Sequence, residues 1–153
     1  MSQMKLSDKI ALVLESKRGK EVYSVGPNQA VYDAIRSMAD HGVGALVVLS
    51  QNTLVGIVSE RDYARKVILK GKASTDTPVR EIMTSPVVHV TKEHRVDECM
   101  AMMTEHRCRH LPVVADGVVV GMISIGDLVK WIISGQEQTI RELECYIAGE
   151  YPR

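Results

Sequence analysis

Two short segments carry residue types and spacing that could do chemistry: Ser59-x-x-Asp62 and Ser124-x-x-Asp127. A carboxylate fixed at a helix start can accept two neighbouring hydroxyls, such as those of a ribose. The free N–H groups and positive dipole end beside it favour phosphate. The plainer reading is a helix cap, because Ser with an acidic residue three positions on is close to a capping box. The two readings are compatible. Arg109 and His110 precede Leu111-Pro112-Val113. Arginine offers forked donors to an oxyanion and histidine one more donor or charge, with surface charge at a strand start as the alternative. Pro112 cannot donate to a sheet ladder and predicts an edge or cleft-lining position.

Other patterns point away from catalysis. His106-x-x-x-His110 has helical metal spacing, but His110 falls in a predicted strand and no third ligand is evident, so no metal is expected. Gly42-Val43-Gly44 follows a helix and opens a strand, the reverse of a dinucleotide-binding fingerprint. Arg61, Arg65, Lys66, Lys70 and Lys72 read as a solvated helix face, with a phosphate role for Arg61 as the alternative. Cys99, Cys108 and Cys145 read as small buried apolar residues. No nucleophile–base constellation emerges, so no enzymatic activity is expected.

The elements that must position these residues come in duplicate. Residues 22–68 overlay residues 87–133 at a shift of 65 without a gap. Met38 meets Met103, His41 meets His106, Gly56 meets Gly121, Ser59 meets Ser124 and Asp62 meets Asp127. Each unit reads β-α-β-β-α. A short strand (Val22–Val25, Val87–Val90) precedes a helix with apolar residues at i, i+3, i+4 and i+7 (Val31, Ala34, Ile35, Met38; Val96, Cys99, Met100, Met103). Gly42 suits a helix C′ position. Strands Val43–Leu49 and Leu54–Val58 flank a turn at Gln51-Asn52, and Cys108–Val114 and Val118–Ile123 flank one at Asp116-Gly117. A last helix opens at Ser59 or Ser124.

The fold class is therefore α+β, with two repeats packed with pseudo-twofold symmetry. The predicted layout is an N-terminal helix and loop at 1–21, repeats at 22–69 and 87–134, a linker with a short helix at 70–86 and a helical extension at 135–153. The lead-in helices are expected at Lys5–Glu15 and Val79–Met83. Counting Ile10 to Val25 (15) against Ile82 to Val90 (8) gives the first repeat seven extra residues, around Glu15–Lys20. Apolar faces carrying Tyr63, Val67, Leu128, Trp131 and Ile132 predict a homodimer, with Gln136–Ile147 adding to the interface.

Composition sets the class. The chain has 153 residues, 19 basic against 19 acidic, which argues against nucleic acid as a partner. No apolar run approaches the ~20 residues of a membrane span. Three cysteines without C-x-x-C spacing suit a reducing, cytoplasmic location.

With "GIVSERD" and "GMISIGD" closing the hairpins and "RHLPVV" opening the second, the tandem unit resembles a stand-alone cystathionine-β-synthase (CBS) domain pair, or Bateman module. The resemblance implies a regulatory, signal-transducing module that binds an adenine nucleotide in clefts between the repeats. AMP is the first expectation, with NAD(H), ADP, ATP or S-adenosylmethionine as others. An interaction protein that modulates a partner enzyme, thioredoxin-like or metabolic, is the alternative. By resemblance the Asp holds ribose and the Ser lies near phosphate. One expected site joins Ser124 and Asp127 with Val43, Gly44, Ala45 and Tyr23, and with Lys20 or Arg18 near the phosphates. The other joins Ser59, Arg61 and Asp62 with Val88, His89, Arg109, His110 and Pro112.

Overall fold

The computed structural model describes residues 6–17 and 21–147, the side chains of 136–140, 142–143 and 145–147 excepted. The elements in chain order are α1 (Ile10–Ser16), β1 (Ser24–Val25), α2 (Val31–His41), β2 (Ala45–Ser50), β3 (Thr53–Ser59), α3 (Glu60–Tyr63), α4 (Val96–His106), β4 (His110–Ala115), β5 (Val118–Ser124) and α5 (Ile125–Ile147). A π-helical turn, Ala64–Ile68, prolongs α3, and a 3-10 turn occupies Val79–Glu81.

The periodicity read from the sequence becomes burial. Val31, Ala34 and Met38 line the inner face of α2, and Val96, Cys99 and Met103 that of α4. β1 pairs in parallel with β2, which pairs antiparallel with β3. Val25, Leu46, Val48 and Val58 from this sheet join Val31, Val67 and Val79 in one buried cluster. Both hairpin turns place two residues at positive φ, Gln51 and Asn52 in one and Asp116 and Gly117 in the other, as a type I′ turn requires. Gly56 of β3 has a further reason to be glycine, since a Cβ there would lie 2.5 Å from the Met83 sulfur.

Two compact units emerge, and neither is a contiguous repeat. One gathers the described residues of Met1–Lys20, Val90–Leu111 and Ile123–Arg153; the other holds Glu21–His89 and Pro112–Met122. The cause lies at the helix starts. The first N–H groups of a helix lack intrahelical partners, and Ala30 before α2 has no capping side chain. The carbonyls of Thr77 and Ser74 accept from Val31 and Tyr32 instead (2.8 and 3.0 Å). At α4 the carbonyls of Asp8 and Leu6 accept from Val96 and Asp97 (both 2.9 Å). Each lead-in thus caps the helix of the repeat it does not precede in sequence.

The same bonds correct the lead-in alignment. Ile10 and Ala11 donate to His94 and Lys92 as Val79 and Arg80 donate to Gln29 and Pro27. Ile10 therefore matches Val79 rather than Ile82. The first repeat carries four extra residues, (25 − 10) − (90 − 79), rather than seven.

Other expectations shift as well. The predicted strand at Val87–Val90 is not formed: residues 87–89 carry no regular structure and Val90 makes a single bridge. The lead-in helices shorten to α1 and the 3-10 turn, and the C-terminal extension is continuous with α5. Of the predicted interface residues, Val67 and Leu128 are buried, while Tyr63, Trp131 and Ile132 are half-buried. Among their neighbours, Ile68, Leu69, Val129 and Ile133 are exposed. The side chains expected to extend the interface from Gln136 onward fall largely outside the described residues. Among the described residues no helix is long and apolar enough to cross a membrane.

Candidate functional site

Both Ser-x-x-Asp segments form complete capping boxes. In the first, the Ser59 N–H donates to Asp62 Oδ2 (3.0 Å) and the Asp62 N–H to Ser59 Oγ (3.2 Å). In the second, the Ser124 N–H donates to Asp127 Oδ2 (2.9 Å) and the Asp127 N–H to Ser124 Oγ (3.1 Å). Each box is closed from behind by the residue just before the first strand of its hairpin: Glu60 N–H donates to the Gly44 carbonyl (3.1 Å) and Ile125 N–H to that of Arg109 (2.9 Å). The carboxylates are thereby fixed in direction, which is what a ligand-accepting role also needs.

What surrounds the carboxylates differs. Lys66, one turn further along, reaches Asp62 Oδ1 (3.2 Å) and also donates to the Ile82 carbonyl (2.9 Å). Asp127 instead pairs with Lys17, just beyond the end of α1, at 2.9 Å; the two side chains are only 24% and 21% exposed. The residue corresponding to Lys66 here is Trp131, whose indole N–H donates to Asp8 Oδ2 (3.1 Å). A cavity of about 540 Å³ opens at this point, lined by Val13, Ser16, Lys17, Asp127, Lys130, Trp131 and Ser134.

His110 belongs to the same neighbourhood. Its pKa is lowered chiefly by burial, then by the positive charge of Lys17, with Asp127 pulling the other way and Arg109 adding to the decrease. The sequence grouped His110 with Asp62; Asp127 is the carboxylate whose charge acts on it here. Cys99 is buried and its thiol is pushed up to about 11, mainly by desolvation, so it is a packing residue and no nucleophile.

The remaining expected site residues divide by environment. Tyr23 stacks on the His41 ring (centroids 3.7 Å apart) and, with Val43, packs against the core cluster. Ala45 is buried, Gly44 and Val88 are half-buried, and His89 is exposed with Nδ1 3.1 Å from its neighbour's carbonyl at Val87. Arg61 and Arg109 are exposed, while Pro112 is buried within β4. Lys20 and Arg18 lie outside the described residues. Lys17 and Asp8 were missed by sequence reasoning, and Trp131 was read only as an apolar interface residue. Trp131's spacing of i+4 from Asp127 placed it on the same helix face and could have signalled the association. Among the described residues no group of His, Cys, Asp or Glu could hold a metal ion.

Comparison with known proteins agrees with this architecture. The family model for the CBS domain matches residues 19–69 and 79–134. The Arabidopsis thaliana CBS domain-containing protein CBSX3, named as mitochondrial, is 43% identical over 129 residues, 81% of this chain. The aligned stretch spans 63% of that relative's length. A solved structure of a protein with CBS domains from Burkholderia ambifaria is 52% identical, with a TM-score of 0.80 over 82% of this chain and 94% of that one. The hexameric CBS-CP12 protein of bloom-forming cyanobacteria is 26% identical, with a TM-score of 0.72 over 80% of this chain and 71% of that one.

Proposed function

This chain belongs to the CBS-domain family as a pair of repeats, and from that premise we propose that it is an adenine-nucleotide sensor without catalytic activity. Such pairs are typically regulatory and ligand-binding. The observation that carries the proposal is the doubled capping box, which holds one carboxylate at the same point of each repeat. Asp62 and Asp127 would accept the ribose hydroxyls, with Ser59 and Ser124 on the phosphate side. AMP is the first ligand to test, ahead of ADP, ATP, NAD(H) and S-adenosylmethionine. At 100-fold excess over Kd, linkage stabilises the fold by ~2.7 kcal/mol, a melting shift of roughly 5–10 °C for a domain of this size. Thermal scans that stay flat against all of these ligands sink the reading. Calorimetry on Asp62→Asn and Asp127→Asn checks the sites, each substitution removing one binding phase.

A second reading, an interaction protein whose partner enzyme matters more than its ligand, draws support from Ile68 and Leu69, 57% and 78% exposed. Self-association into a homodimer belongs to the same proposal. A mass of 16.9 kDa that does not change with concentration in light scattering refutes the dimer. The free thiols Cys99 and Cys108 support a reducing compartment, with the cytoplasm first and the mitochondrion, by the name of the Arabidopsis relative, second.

A further inference from the structure

We propose that α5 carries a self-complementary seam through which two copies of this chain pair as an antiparallel coiled coil. The inference rests on the self-association reading above and gives it a surface and a direction. Along α5, Val129, Ile133, Gln136, Ile140, Leu143 and Ile147 recur at alternating steps of four and three. Such steps average 3.5 residues, the period at which one row of positions stays turned to a partner helix. Gln136 is the one polar position in the row. The row is distinct from the face that α5 buries in its own unit. On that face Leu128 and Gly135 are buried and Trp131 and Ile132 half-buried, whereas Val129 and Ile133 are 42% and 47% exposed. These two open a row that continues along the helix for ~27 Å at 1.5 Å per residue. Packing of α5 on α1 and α4 holds the start of the row in helical form, so the costly helix nucleus is already made before a partner arrives.

The charges beside the row choose the partner and the direction. Lys130, Glu137 and Glu144 repeat at seven-residue intervals along one edge of it, and Lys130 and Glu144 are both exposed. An antiparallel pair that sets Ile133 against the partner's Leu143, and Val129 against the partner's Ile147, runs this edge beside its own copy. Lys130 then lies beside the partner's Glu144, and the twofold axis repeats the contact. In a parallel pair the same edge would meet the opposite edge of the partner, which holds Ile132 and Thr139. No opposite charges come together there. The row is thus matched to a second copy of itself, reversed, and each tail covers the exposed Val129 and Ile133 of the other chain. The same register places Glu137 beside its own copy at the axis, a like-charge contact that limits the affinity.

The test measures the dimer dissociation constant of the full chain by sedimentation equilibrium. Lys130→Glu alone and Glu144→Lys alone each set like charges side by side at both ends of the seam. Either should raise the constant roughly tenfold, and the chain carrying both substitutions should restore it. Positions 130 and 144 lie two heptads apart, so no contact within one helix can produce that restoration. Glu137→Gln removes the like charges at the axis and should lower the constant by roughly threefold. Weakening by both single variants without restoration in the double overturns the antiparallel pairing. A dimer unmoved by any of these variants uses another surface, which overturns the seam and leaves self-association standing. A mass of 16.9 kDa at every concentration overturns both.

Discussion

The two capping boxes share a backbone and differ in their dependence on the rest of the chain. Asp62 is served by Lys66 from the next turn of its own helix, so its electrostatics are local. Asp127 is served by Lys17, 110 positions away in sequence, from a lead-in that also caps α4. One site is self-contained and the other is wired to a distant segment. A duplicated unit can thus keep its scaffold hydrogen bonds while the ion-pair partner of an equivalent carboxylate changes. The change involves replacing Lys66 by its counterpart Trp131 and recruiting a lysine from elsewhere.

The largest effect should come from deleting each carboxylate. Asp62→Ala loses a box, about 1 kcal/mol, and Lys66 retains the Ile82 carbonyl. Asp127→Ala loses the box and an ion pair whose lysine is less exposed than Lys66, roughly 2–3 kcal/mol altogether. Chemical denaturation should separate the two variants by at least 1 kcal/mol. Equal losses would mean that Lys17 contributes no more to the second box than Lys66 does to the first.

A smaller effect concerns the turn that leads into each hairpin. Gly42 and Arg107 are equivalent C-cap residues, both left-handed, at φ 65° and 53°. The bonds Val43 N–H to Met38 and Cys108 N–H to Met103, both 3.0 Å, complete the same motif. A side chain in this region costs about 1 kcal/mol, so Gly42→Ala should lose that amount. Arg107→Gly should recover part of it, by about 0.5 kcal/mol, because the unfolded chain also gains freedom. A melting temperature lowered by Arg107→Gly would show that the arginine side chain matters more than its strain.

The signals that were legible are those settled within a few residues. The paired positive-φ turn at Asp116-Gly117, the left-handed Gly42 and both Ser-x-x-Asp boxes need no distant partner. Legibility failed where a partner had to be chosen across the chain. Val87–Val90 has the composition of a strand, but a strand exists only when something pairs with it along its length. The carbonyls that satisfy Val96 and Asp97 come from Asp8 and Leu6, and nothing near α4 in sequence names them. The loop after α1 was read as bringing Lys20 or Arg18 near the phosphates; the residue that pairs with Asp127 is Lys17, which nothing in the local sequence singled out.

The smallest expected effect is a pH dependence confined to the second repeat. His110 corresponds to Ala45, so only one repeat carries a titrating group here. Burial and Lys17 hold the His110 pKa below its ordinary value. As pH falls, the unfolded chain takes up this proton before the folded one does. Stability is thus fully present above the ordinary histidine pKa of about 6.5. It is lost progressively below that value, until folded His110 protonates too. A His110→Gln variant should flatten this part of the stability–pH curve measured between neutral and mildly acidic buffer. The His110 imidazole followed by NMR sharpens the comparison further. Lys17→Met removes a neighbouring positive charge and should raise its pKa, whereas Asp127→Asn removes the opposing negative charge and should lower it further. Shifts of the same sign in both variants would mean that His110 responds to altered burial and not to the Lys17–Asp127 pair.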